Sequence, residues 1–164
     1  MIQGSKFPSA DVWMPNWLFD VVCVSAAVAD SIEDRFAVDL GEVHKPRTGP
    51  TGVKQIRPVL TTQPWHRAEE LAAAVLSQHR QHSGTQTGSA CQRCDRWKWL
   101  PVGENAVPIV ASALPSTTSD VVASPECFGD GLMSFRHVLF RRALGEALVG
   151  ASPRNWDLVE VTVT

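Results

Sequence analysis

No apolar run in this 164-residue sequence is long enough to cross a bilayer. The longest, residues 21–29, is broken by Ser25, and the opening MIQGSKFPSADVWMPNW lacks the continuous apolar core of a signal peptide. A cytoplasmic protein with no membrane partner is therefore expected. Charge of one sign is also missing. Lys and Arg total 15 and Asp and Glu 17, a net charge of -2, so no whole-molecule field draws the chain to nucleic acid or anionic lipid. Four cysteines, Cys23, Cys91, Cys94 and Cys127, in a reducing compartment argue against a disulfide framework. Cys23 lies inside an apolar run and reads as a small core residue.

Familiar catalytic patterns are lacking too. The sequence holds no nucleophile elbow, no P-loop and no glycine-rich dinucleotide fingerprint. Glu69 and Glu70 fall at an expected helix start, where acids oppose the positive end of the helix dipole without any further role. Asp130 and His137 could meet in space, but the sequence offers no third partner, and His137 between Phe135 and Val138 reads as a half-buried packing residue. A non-enzymatic protein is expected.

What is present is an ordinary globular composition, 44% apolar and 20% charged, over a length that fits one domain, residues 1–164. Residues 18–24 (LFDVVCV) are short, apolar and β-branched, the pattern of a buried strand. Ser25 is a natural N-cap, and residues 26–36 carry Val28, Ile32 and Phe36 on one helical face. Residues 37–43 return as a strand, and the proline- and glycine-bearing stretch 44–55 reads as a loop. Residues 56–61 read as a strand broken or made an edge by Pro58. Residues 67–82 are rich in helix formers. Short strands are expected over 97–102 and 120–123, a long helix over 134–149, and a final strand over 157–163, with 107–114 open between strand and helix.

An internal echo links the two ends of the chain. Asp11, Phe19 and Ser25 are spaced as Asp120, Phe128 and Ser134 are, and DLGEV at 39–43 matches DLVEV at 157–161. The expected class is α/β or α+β. Two duplicated β-helix-β units, 8–61 and 104–164, would flank a central insert, 62–103, with a helix and a zinc-ribbon-like segment.

That insert carries CQRCDRWKW, residues 91–99. Cys91 and Cys94 have the spacing with which two thiolates grip one tetrahedral ion. His79 and His82, three apart near the helix end, share a face and complete a His-x2-His-x8-Cys-x2-Cys set for a structural zinc, with Cys127 or His66 as substitutes. The bland alternative leaves the histidines solvated. A thioredoxin-like role is disfavoured because the pair does not open a helix after a strand. Arg93, Arg96 and Lys98 interleave with Trp97 and Trp99, as in a surface that stacks bases and holds phosphates. Strict alternation favours a simpler arrangement, with both tryptophans facing the core and the cations in water. Lys45, Arg47, Lys54 and Arg57 make the loop after the first unit basic, either a merely solvated run, as is usual, or an electrostatic contact for an acidic partner. Trp13 and Trp17 around Pro15 read as core or loop anchors.

Taken together, DVW leading to VVCVS, EVHKPRTG, CQRCDRWKW and SDVVASPECFGDGL give a layout that resembles the bacterial double-CxxCG motif family of immunity-type proteins linked to polymorphic toxins. Cys91 and Cys94 match one pair, with Asp95 at the glycine position, and the second pair has no counterpart. The resemblance implies a zinc-ribbon-like insert and a binding protein that neutralises a cognate toxin by covering its active face. The alternative reading is a small zinc-ribbon-like nucleic-acid binder using the residues of 93–99.

Overall fold

A computed structural model describes residues 1, 7–16, 18–103, 105–116, 119–129 and 133–164. Trp17 and Asp130 lie outside the described residues. The protein belongs to the mixed α/β class, with three helices and ten strands in three sheets among the described residues.

The first sheet follows from the valine-rich segments near the N-terminus. Strands β1 (Val12–Trp13) and β2 (Val22–Val24) pair antiparallel. Helix α1 (Ala26–Glu33) follows directly, because Ser25 is extended and its hydroxyl accepts from the Val28 N–H. Val28, Ala29 and Ile32 form its buried face. Strands β3 (Asp39–Lys45) and β4 (Gly49–Arg57) complete the sheet in the order β1-β2-β4-β3.

Strand β4 overturns the expected loop over 44–55. The hairpin turn takes up only part of that stretch, where Arg47 and Gly49 have positive φ values of 71° and 80°. Beyond the turn, β4 pairs antiparallel with both β3 and β2, so pairing with distant strands overrides the local breakers.

Strand β5 (Val59–Leu60) and helix α2 (Ala68–Ser83) come next. They are followed by the hairpin of β6 (Gly88–Ala90) and β7 (Trp97–Trp99), and by a single 3-10 turn at Ala111–Ala113. Then come β8 (Val121–Ala123), β9 (Cys127–Phe128), β10 (Val138–Phe140) and helix α3 (Arg142–Ala151). The other two sheets have the orders β10-β8-β5 and β6-β7-β9, with β7 and β9 parallel.

The helix expected from Ser134 is not formed there. Phe135 exchanges backbone hydrogen bonds with Phe128 at 2.8 and 2.9 Å, β10 follows, and helical structure begins only at Arg142. The final strand shrinks to an isolated parallel bridge between Ile109 and Val163. The echoed positions also sit in unlike surroundings, since Phe19 is 48% exposed and Phe128 is fully buried.

The chain divides into two compact units. Unit 1 comprises Met1–Val59, Thr117–Val122 and Val138–Leu158. Its core centres on Val12, Val24, Ile32, Ile56, Val121, Leu144 and Leu148. Unit 2 comprises Leu60–Ser116, Ala123–His137 and Val159–Thr164. Leu71, Val75, Val102, Val107 and Phe128 form its core, with Trp99 packed against them.

Candidate functional site

The CxxC segment is the loop of the β6–β7 hairpin, inside unit 2. Two backbone hydrogen bonds close it: Cys91 N–H to Arg96 O and Asp95 N–H to Cys91 O, each 2.9 Å. The reversal puts Asp95 in the left-handed region at φ 55°. Short-chain Asp tolerates that region better than most residues, which accounts for Asp at a position suited to glycine.

The N–H groups of Arg93 and Cys94, then the Cys94 thiol, hold the Cys91 thiol below the ordinary range, with Lys98 adding a smaller pull. Cys94 is exposed and Cys91 partly so. The other two cysteines are buried. Burial pushes the Cys23 thiol up to about 11, and Arg96 Nη1 reaches the Cys127 sulfur at 4.0 Å.

Strand β7 corrects the expected placement of its side chains. Trp99 packs on the core as expected, but Trp97 is 43% exposed and Lys98 is only 9% exposed. The cause is the strand's position. β7 is the middle strand, with Lys98 in register with Ser89 on one side and Cys127 on the other. A lysine stem in that setting is covered by its neighbours. Trp97 meets Trp99 edge to face at 6.0 Å, over Gly88, where there is no room for a side chain. Arg93 and Arg96 are exposed in the loop that precedes Trp97.

Of the expected zinc set, Cys91 and Cys94 lie in the hairpin loop and the two histidines on α2. His79 Nε2 donates to the Pro101 carbonyl at 2.6 Å, and His82 is exposed at the end of α2. Among the described residues, no three His, Cys, Asp or Glu side chains are grouped as metal ligands. Lys45 and Arg47 belong to the β3–β4 hairpin of unit 1. Lys45 Nζ lies 4.8 Å over the Phe7 ring, while Arg47 is exposed at the turn. Lys54 pairs with Glu42, and Arg57 pairs with Asp39 at 2.6 Å, so the hairpin's own acids engage both cations. Trp13 is buried, as expected of an anchor.

A second cluster in unit 2 escaped the sequence reading. His137 stacks on Phe128 at 4.0 Å, and His66 meets it edge-on at 5.8 Å. His66 Nδ1 donates to Pro108 O at 3.1 Å. Glu126 Oε1 accepts from the Trp65 and His66 N–H groups at 2.7 and 3.2 Å. His66 Nε2 and Glu126 Oε2 are buried without a hydrogen-bond partner among the described residues. Burial, then the neighbouring His66, lowers the His137 pKa to about 4. No spacing rule could have found this cluster, because its members come from distant segments.

Set beside family models, curated proteins and solved structures, the chain matches none. Among the described residues, no helix is long and apolar enough to cross a membrane.

Proposed function

We propose that the chain is a cytoplasmic, non-enzymatic binding protein of the toxin-immunity type, which occludes a cognate toxin through the β6–β7 hairpin. One observation carries this reading: Trp97 is exposed at the end of a strand, with Arg93 and Arg96 exposed in the loop that leads into it. Tryptophan and arginine are the residues most enriched among those that dominate interface energies. The core-packed Trp99 and the close fit over Gly88 hold Trp97 in place, so little order is lost when a partner covers it. Arg47, on its separate hairpin in unit 1, is a cation that would raise the association rate with an acidic partner.

The product of a neighbouring toxin gene is the direct test. Co-purification and protection of cells, both lost in Trp97→Ala with folding intact, would support the reading; neither occurring with the native chain would sink it.

The exposed Trp97 and its two arginines also favour a second reading, binding of single-stranded nucleic acid by base stacking. Salt-sensitive binding to a single-stranded oligonucleotide, lost in Trp97→Ala, would select it. A lack of binding at low salt removes it.

A further inference from the structure

We propose that Cys91 and Cys94 form a thiol–disulfide site, which exchanges with a low-molecular-weight disulfide of the glutathione class and closes into an intramolecular disulfide. The inference stands independently of the partner-binding reading. Its basis is the geometry of the turn. The Asp95 N–H to Cys91 O bond makes residues 91–95 a single helical-type turn, which brings positions three apart to one side. With the Cys-x2-Cys spacing, that turn sets the two cysteines on one side of the hairpin loop, Cys94 exposed and Cys91 partly so. Within that turn the N–H groups of Arg93 and Cys94 favour the charged form of the Cys91 thiol. They do here what a helix N-terminus does for the first cysteine of a thioredoxin-like pair, although the pair lies in a hairpin.

The roles divide by acidity, since the turn holds the Cys91 thiol below its ordinary range. Cys91, cradled by the N–H groups, is the attacking sulfur. Exposed Cys94 is the resolving one. In the first step the Cys91 thiolate attacks one sulfur of the small disulfide. That S–S bond breaks, the first small thiolate leaves and takes a proton from water, and a mixed disulfide forms on Cys91. Cys94 then gives its proton to solvent and attacks the Cys91 sulfur, and the second small thiolate leaves and is protonated. Overall, the dithiol and one small disulfide become the protein disulfide and two small thiols, with two electrons passing from the protein to the small molecule. Buried Cys23 and Cys127 take no part.

The disagreement over zinc makes the site open to test. A complete four-ligand zinc would hold both thiolates and block this exchange. The test uses the purified full chain, both as isolated and after treatment with a chelator. It is equilibrated in reduced/oxidised glutathione buffers of stepped ratio, then alkylated and mapped by mass spectrometry. Expected is the loss of two free thiols per chain in both preparations, mapping to a Cys91–Cys94 linkage. Cys94→Ser should stop at a glutathione adduct on Cys91, and Cys91→Ser should form adducts about tenfold more slowly. Circular dichroism would verify that both variants fold. Four free thiols throughout would overturn the proposal, as would a linkage to Cys23 or Cys127. It would equally be overturned if the isolated protein carried one equivalent of zinc that shields both thiols.

Discussion

At the scale of single residues, His137 makes stability depend on pH. It is stacked on Phe128 with His66 edge-on, and burial lowers its pKa from 6.5 to about 4. Between these values the unfolded chain holds the proton and the folded chain does not. The contribution of this group is therefore complete above 6.5 and is lost as pH falls towards 4. The difference is worth at most about 3 kcal/mol. Urea unfolding at about pH 7 and about pH 4.5 should show a steeper loss for the native chain than for His137→Phe, which keeps the stacking without the titration. Equal losses would show that the imidazole is not the cause.

Asp120 acts on the same scale. Its carboxylate accepts from the Ala37 N–H at 2.8 Å and pairs with Arg141 at 3.2 Å, while its backbone bonds to Ala37 and Arg141. Asp120→Ala should cost about 2 kcal/mol of stability, read as a lower urea midpoint, because a partly buried charge-assisted network loses its acceptor. Its echo, Asp11, is exposed and gives its backbone carbonyl to the Ser25 N–H. Equal spacing in sequence did not translate into equal roles.

At the scale of elements, the β6–β7 hairpin depends on Gly88. A Cβ there would lie 2.1 Å from the Lys98 carbonyl oxygen, a backbone atom that can retreat only if the strands part. Gly88→Ala should destabilise the chain by about 2–4 kcal/mol and expose Trp99 to solvent, seen as a red-shifted tryptophan emission. A variant as stable as the native chain would mean that the strands are not paired in this register. Elements also mark how far the sequence could be read. Helix α1 was legible because its signals are local: the Ser25 cap and Val28 and Ile32 one turn apart. Strand β4 was not, because its prolines and glycines announce a turn while its strand character comes from β2 and β3. The Cys91–Cys94 spacing was legible directly, but not the hairpin that holds it, which needs β6 paired with β7. That Lys98 rather than Trp97 would be buried was not, since it depends on β9, a strand from another part of the chain.

At the scale of the whole molecule, a net charge of -2 leaves recognition to local surfaces. The proposed one is the end of a hairpin whose tryptophan is held by packing and whose loop carries two exposed arginines. Trp97→Ala should therefore leave stability within about 1 kcal/mol of native, because the side chain is exposed. Trp65→Ala, at a fully buried position where the indole N–H donates to Thr61, should cost about 3–5 kcal/mol. The most direct measurement of the central proposal is calorimetric titration of the native chain and Trp97→Ala with the product of the neighbouring toxin gene. A one-to-one complex weakened about thirtyfold or more by the substitution is the predicted result. Equal affinities for the two chains would contradict it.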